Sequence, residues 1–204
     1  GNRNIEQVLL NGKTRAHGVE ILFRKNTGKF TGFVAYTISK AEQQTKGRNA
    51  NEVGINYGKW YRSPYDRTHD LSIVGSYDLN KKWNFNANFT LQSGRPVTYP
   101  NGHYEYLGQN VPIYDYRNNY SLPSFHHLDI SASYTPKPNK IKGWQSEWVF
   151  GIYNVYNRKN AASISFRENE DFAGKTEAAK LSIFGIVPSV TYNFKLKKKK
   201  KVQN

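Results

Sequence analysis

The chain of 204 residues contains no cysteine and no methionine. Without cysteine it has no disulfide bridge and no thiol nucleophile, which excludes thiol catalysis. Because methionine is missing even at position 1, we expect the chain to begin at a processed or internal point. We likewise expect no signal peptide within it, and no apolar run approaches the roughly 20 residues that a membrane helix needs. Membrane strands remain compatible with this sequence, because each of them gives only a weak hydropathy signal.

Acidic residues are also scarce, with Asp+Glu 15 against Lys+Arg 30 and a formal net charge of +15. Much of the positive charge lies in residues 197–204, which we interpret as a solvated basic tail and not as a nucleic-acid arm. The rest of the chain is rich in aromatic residues, yet its mean hydropathy is −0.77. Such a chain must alternate apolar and polar residues finely, since disordered chains are poor in aromatics.

Period-two alternation dominates, and helical periodicity is nearly absent. In residues 83–92 one face carries Trp83, Phe85, Ala87, Phe89 and Leu91, and the other carries only polar side chains. The segment before it alternates in the same way, and the polar turn 80–82 joins the two into a hairpin. The alternation predicts further strands at 17–25, 30–42, 125–136, 146–157 and about 180–196, seven in all.

The predicted turns alternate between short and long. Short turns lie at 26–29, 80–82 and 137–145, whereas the connections 43–65, 96–123 and 158–178 are long. This layout is typical of bacterial outer-membrane barrels, and compact soluble domains rarely contain several loops of this length. Several strands exceed the five or six residues usual in globular proteins and reach the nine to eleven or so that a tilted membrane strand needs.

Aromatic residues concentrate near the short turns, which distinguishes a barrel wall from a soluble sandwich. The core aromatics of a sandwich lie mid-strand more often, whereas a barrel has aromatic girdles at the membrane interfaces. We therefore predict an all-β fold, a transmembrane antiparallel β-barrel of which this chain supplies about seven strands. The predicted girdle residues are Phe23, Phe30, Tyr77, Trp83, Tyr134, Trp148, Tyr192 and Phe194.

Several segments resemble the barrels of TonB-dependent outer-membrane receptors, in the style of the Bacteroidetes type that includes SusC-like importers. Their order and spacing along the chain carry the resemblance more than any single motif. The segments are Gly18-Val19-Glu20, Tyr36-Thr37-Ile38-Ser39-Lys40, Tyr65-Asp66-Arg67-Thr68-His69-Asp70-Leu71, Ser93-Gly94-Arg95-Pro96, Asn154-Val155-Tyr156-Asn157-Arg158-Lys159-Asn160 and Pro188-Ser189-Val190-Thr191-Tyr192-Asn193-Phe194.

The resemblance implies a plugged barrel of about 22 strands, of which residues 1–196 form the carboxy-terminal part. It implies import of a nutrient (a glycan, a peptide or a metal chelate) across the outer membrane without catalysis and without a cofactor. The partners would be the remaining barrel with its plug, the TonB energy-coupling complex, outer-membrane lipid and, in some members, a surface lipoprotein. Tyr192 and Phe194 resemble the carboxy-terminal signal for barrel assembly, and short turns would then be periplasmic.

Aromatic and basic residues in the long loops are the candidates for ligand contact, because Tyr and Trp give large rigid contacts at low entropic cost. We predict that these residues are Trp60, Tyr61, Arg62, Tyr104, Tyr106, Tyr114 and Tyr116. His126, His127 and Asp129 do not make a closed metal site, because two ligands on one face are too few. Asp66, His69 and Asp70 have no visible catalytic partners, so the sequence predicts neither an enzyme nor a metal site.

Three alternatives share part of this pattern. A passive or adhesive barrel would have the same wall but no plug upstream. A barrel enzyme would need a catalytic set outside the segments described above. A soluble β-sandwich that binds carbohydrate or nucleic acid would fold without detergent, and we expect no nucleic-acid partner.

Overall fold

The protein is described by a computed structural model that covers residues 11–100, 102–139, 143–168, 176–182 and 184–197. These residues form fourteen strands, numbered in chain order, and no α-helix. The long strands are β1 (Gly12–Lys25), β2 (Phe30–Thr45), β4 (His69–Asp78), β5 (Trp83–Gln92), β10 (Phe125–Tyr134), β11 (Gly143–Tyr153) and β14 (Val187–Lys197). The others are β3 (Tyr61–Arg62), β6 (Pro96–Val97), β7 (Gly102–Tyr106), β8 (Gln109–Ile113), β9 (Tyr120–Ser121), β12 (Ala161–Glu168) and β13 (Thr176–Ser182).

The seven long strands form one antiparallel sheet in the order β1-β2-β4-β5-β10-β11-β14, with β3 added beside β2. Each long strand pairs with the long strand before it, so the sheet is a meander. The predictions of an all-β fold and of seven long antiparallel strands are confirmed. Within the described part of the chain the sheet is open, with β1 and β14 as its edges, so closure into a barrel is not shown.

Two of the short turns are shaped by residues suited to them. Gly28 adopts φ 91°, a left-handed conformation that glycine enters without the steric penalty of other residues. In the next short turn, the side-chain oxygen of Asn80 accepts hydrogen bonds from the backbone N–H groups of Lys82 (2.8 Å) and Trp83 (2.9 Å). Such Asx turns hold the chain reversal locally, which explains why β4 and β5 pair in register directly from this turn.

The strand registers keep the period-two pattern aligned across the whole sheet. Val34 lies opposite Ile73, Ile73 opposite Phe89, and Phe89 opposite Leu128. Partners in register point to the same side, so the apolar residues of all seven strands share one face. The polar residues of the same strands, with exceptions such as Val74, share the other face. We call these the apolar face and the polar face.

The long loops contain short strands that the alternation does not reveal. β6 pairs with β9, and β7 with β8, inside the predicted loop 96–123. The predicted last strand at 180–196 is divided: β13 pairs with β12, whereas β14 begins only at Val187. Pro188 lies on β14, an edge strand, where a residue without an N–H is tolerated. No helix in the described residues is long and apolar enough to cross a membrane.

Candidate functional site: the two faces and the loop cleft

The apolar face is uncovered by other parts of the described chain. Seventeen of its large apolar side chains are 37–71 % exposed, although soluble monomers rarely expose a contiguous patch above a few hundred Å². In water this surface requires a second layer, so its natural environment is another apolar phase or partner. The seventeen exposed apolar residues of this face are Val19, Ile21, Phe23, Phe30, Val34, Ile38, Ile73, Tyr77, Phe85, Ile130, Trp144, Trp148, Phe150, Val190, Tyr192, Phe194 and Leu196.

One row of four aromatic residues crosses the apolar face beside the short turns. Trp83, Tyr134, Trp148 and Tyr192 are direct register partners on β5, β10, β11 and β14. The ring centroids of Trp83 and Tyr134 are 4.6 Å apart, and those of Trp148 and Tyr192 are also 4.6 Å apart. The sequence predicts aromatics near this edge, and the registers bring four of them into a single row, which we call the aromatic row.

The four other predicted girdle residues also lie on the apolar face. Phe30 and Tyr77 are register partners at the start of β2 and the end of β4. Phe194 stacks on Trp144 with the ring centroids 4.6 Å apart, whereas Phe23 is 71 % exposed near the end of β1. The Trp144 indole N–H donates to the Tyr192 hydroxyl at 3.1 Å. Tyr192 and Phe194, the predicted assembly signal, therefore both contact Trp144 on β11.

At the loop end of the apolar face, two tyrosine–histidine pairs mark the opposite boundary. The Tyr36 hydroxyl lies 2.6 Å from Nδ1 of His69, and the Tyr156 hydroxyl lies 2.5 Å from Nδ1 of His126. His126 and Tyr134 are the two ends of the apolar side of β10 and lie eight positions apart. At about 3.3 Å per residue, this is about 26 Å along the strand.

The polar face carries hydrogen-bonded polar side chains. The Asn84 amide donates to the Ser76 hydroxyl at 2.9 Å and to the Asp78 carboxylate at 2.6 Å, and the Asn86 amide donates to Asn84 at 2.6 Å. These contacts join β4 to β5 in a ladder that water or a polar partner can also contact. A solvated or polar environment therefore suits this face, in contrast with the opposite one.

The polar residues considered for metal binding or catalysis separate in the structure. His127 and Asp129 are 2.9 Å apart on the polar face, but Asp129 also accepts from the backbone N–H of Asn154 at 2.9 Å. His126 points to the other face, toward Tyr156. Within the described ranges, no group of three His, Cys, Asp or Glu residues could hold a metal ion.

Asp66, a candidate for acid–base catalysis in the sequence, has a structural role in the loop. It is only 2 % exposed. Its carboxylate accepts from the Ala41 backbone N–H at 2.7 Å and from the Arg62 guanidinium at 2.8 Å. His69 pairs instead with Tyr36, and Asp70 with Gln92 at 3.5 Å, so these acidic and basic groups do not converge on one point.

The first two long loops contact each other through a pair of reciprocal hydrogen bonds. The Asn56 amide donates to the Arg117 carbonyl at 3.0 Å, and the Arg117 backbone N–H donates to the Asn56 side-chain oxygen at 2.6 Å. Tyr57 packs edge-on against Tyr116, with centroids 5.8 Å apart. A cleft of about 510 Å³ lies between the two loops and is lined by Tyr114 and Tyr116, two of the predicted ligand residues.

The other predicted ligand residues lie in three different places. Trp60 packs under the Arg15 guanidinium, whose carbon is 4.1 Å from the ring centroid. Tyr61 is only 7 % exposed and Arg62 binds Asp66, so both are held inside the loop structure. Tyr104 (53 % exposed) and Tyr106 (63 % exposed) project from the β7–β8 hairpin. Only Tyr114 and Tyr116 therefore line the cleft between the loops.

Asn56 and Tyr57 are residues of the cleft region that the sequence analysis did not select. Both have positive φ, 51° and 57°, in the turn Ile55–Gly58, a conformation that non-glycine residues rarely adopt. Near this turn, the Arg48 guanidinium holds the pKa of the Glu52 carboxyl below its ordinary value, mainly through side-chain hydrogen bonds. An Asn in the sequence Ile-Asn-Tyr-Gly is the one local signal for such a turn, because Asn tolerates this conformation.

Three comparisons with known proteins found no relative of this chain. The chain matches no protein family, no curated protein and no solved structure.

Proposed function

We propose that the chain forms the carboxy-terminal wall of a plugged outer-membrane barrel of the TonB-dependent type, which imports a nutrient into the periplasm. The observation that supports this proposal most strongly is the apolar face, continuous across seven long strands and bounded by aromatic residues at both ends. A bilayer covers such a face without a second protein layer. The polar face then lines the interior, where a plug or water contacts it.

The open edges of the sheet fit the same proposal. β1 is exposed along its whole length, and β14 pairs on one side only in the described residues. An exposed edge of unpaired backbone groups would promote aggregation, and further strands of the same barrel would cover it. The loop cleft lies at the opposite end from the short turns, so cargo would first meet Tyr114 and Tyr116 on the cell surface.

Spin labelling tests the membrane location directly. Because this chain has no cysteine, Ile73→Cys and Ser72→Cys each introduce one labelling site, on the apolar and the polar face respectively. In a bilayer we expect the label at 73 to be relaxed by oxygen and the label at 72 by a water-soluble nickel chelate. Equal access of the nickel chelate to both labels would disprove the membrane wall.

Energy coupling and cargo are tested in cells that express the complete protein. Uptake that stops when the plug or TonB is removed supports the transporter, whereas uptake that continues through the intact barrel without TonB identifies a passive barrel. Tyr116→Ala should lower uptake, because its ring lines the cleft. Tyr106→Ala is the matched control, since Tyr106 lies on the β7–β8 hairpin and outside the cleft lining.

A further inference from the structure

An apolar groove of about 570 Å³ crosses the apolar face near the short turns. Small residues of the central strands form its floor, namely Gly75, Ala87 and Ala132, and the rings of Phe30 and Phe150 stand at its ends. A Cβ on Gly75 would lie 3.5 Å from the Phe30 ring, so this ring leans over the floor of the groove. The volume lies within the range of about 300–1,000 Å³ that is usual for sites of small molecules.

Four exposed lysines lie along the short-turn edge of the sheet, next to the groove. Backbone hydrogen bonds bring neighbouring turns together: the Asp78 N–H donates to the Lys29 carbonyl, and the Thr135 N–H donates to the Lys82 carbonyl, each at 2.8 Å. We call these residues the lysine edge. They are Lys29, Lys81, Lys82 and Lys137.

The lysine edge is not neutralised by acidic groups of the described chain. None of its four lysines forms an ion pair with any residue in the described ranges. The carboxylate of Asp78, the last residue of β4 at this edge, accepts a hydrogen bond from the Asn84 amide at 2.6 Å. This edge therefore presents a positive charge of several units beside an apolar groove.

The groove and the lysine edge are connected through neighbouring residues of the chain. Phe30, one end of the groove, directly follows Lys29. Phe85, another lining residue, is three positions after Lys82. A ligand that fits both parts has an apolar chain joined to an anionic head. That combination describes a phospholipid with a net negative headgroup.

We propose that the groove and the lysine edge bind an anionic phospholipid of the phosphatidylglycerol type, from the leaflet that faces the short turns. The acyl chain lies in the groove against Ala87 and Ala132, and the phosphate lies among Lys29, Lys81 and Lys82. This site rests on the proposed function, because it requires the apolar face to be in a bilayer. Each lysine near an anionic membrane surface contributes about fivefold in affinity.

Native mass spectrometry of the complete protein in detergent, titrated with phosphatidylglycerol or phosphatidylethanolamine of equal chain length, tests the headgroup preference. We expect tighter retention of phosphatidylglycerol. The triple variant Lys29→Gln, Lys81→Gln and Lys82→Gln should weaken it by about 100-fold, from about fivefold per lysine. The matched control replaces three exposed lysines on the loop side, Lys13, Lys46 and Lys59, with Gln and should leave retention unchanged.

A second pair of variants tests the groove. Ala87→Leu places a larger side chain on the groove floor and should weaken retention of both phospholipids, because it removes space for the chain. Val19→Leu, on the apolar face of β1 and outside the groove lining, is the control for added apolar volume and should have no effect. Circular dichroism of each variant verifies that its β-sheet is intact.

The outcomes separate the lipid site from the membrane wall. Equal retention of the two phospholipids, or a triple variant that behaves as the unaltered protein, overturns the lipid site. Tighter retention of lipid A than of phosphatidylglycerol also overturns it, because lipid A belongs to the other leaflet. If the spin labels at 72 and 73 still show opposite faces, only the lipid site has failed; if they do not, the proposed function fails as well.

Discussion

A lysine at the centre of the apolar face should destabilise the protein strongly, and a lysine one residue away should not. Ile130 lies midway along β10, with Ala87 and Ile152 as its register partners. Ser131 is the next residue and points to the polar face, opposite Asn86 and Gly151. The two positions lie at the same depth and differ only in the face that they occupy.

The expected magnitude follows from the position of Ile130 between the two aromatic boundaries. It is four residues from His126 and four from Tyr134, so a bilayer that spans the band has its midplane near this residue. A lysine on the lipid face at the midplane costs about 2–4 kcal/mol, and near an interface about 0–1 kcal/mol. We expect about 3 kcal/mol for Ile130→Lys, which is more than a hundredfold in the unfolding equilibrium at about 1.4 kcal/mol per tenfold.

Reversible unfolding by guanidinium in phospholipid vesicles measures this difference, since the free energy of unfolding falls linearly with denaturant. Ser131→Lys should change the free energy of unfolding by less than about 0.5 kcal/mol, as a substitution on a solvated surface does. Ile38→Lys is the control for depth. Ile38 is on the apolar face but pairs with His69 at the loop end, so its cost should stay below about 1 kcal/mol.

Two results would refute the reasoning. Equal costs for Ile130→Lys and Ser131→Lys would show that the two faces have the same surroundings. Equal costs for Ile130→Lys and Ile38→Lys would show that depth is irrelevant, as it is when a protein layer covers the face. The soluble sandwich would then be the better explanation of the apolar surface.

Other variants test the loop structure, and each has its own readout. Asp66→Ala should speed tryptic cleavage in loop 43–65, because it leaves two part-buried donors without their acceptor, whereas Asp70→Ala should not. Asn154→Ala should lower the melting temperature, because the fully buried Asn154 amide makes two hydrogen bonds to the Arg158 backbone and its φ is 55°. Asn154→Gly should lower the melting temperature less, since glycine accepts this φ. The ion pair of Glu52 with Arg48 is fully present above pH 4.5 and is lost as the pH falls through the lowered pKa of Glu52. The NMR chemical shifts of the backbone amides in loop 43–65 should therefore change in that acidic range. Glu52→Gln should abolish this change.

The long strands could be predicted from the sequence because alternation is a local property. The order of residues 83–92 specifies β5 to the residue, since a strand displays every second side chain on one face. The β7–β8 hairpin and the division before Val187 could not be predicted. Their strands are short or interrupted, and their pairing depends on contacts that the alternating pattern does not encode.

The loop site was predicted only in part, for a related reason. A tyrosine has the same chemistry whether it is exposed or packed, so the sequence selects Tyr61 and Tyr116 equally. The difference comes from contacts between residues far apart in the chain. Arg62 and Asp66 hold the loop around Tyr61, whereas the hydrogen bonds between Asn56 and Arg117 join two loops beside the cleft. The aromatic row likewise combines a local pattern with strand registers, since Trp83–Tyr134 and Trp148–Tyr192 pair strands that long connections separate.

The continuous register across seven strands also constrains how this sequence can change. Deleting one residue inside β5 would turn every later side chain of that strand to the opposite face, so Phe89 would exchange places with Asn88. Insertions or deletions of two residues preserve the faces. The long loops have no such two-residue constraint, because their side chains do not alternate between two faces. Related sequences should therefore differ in length by even steps within strands and by any step in loops 43–65 and 96–123.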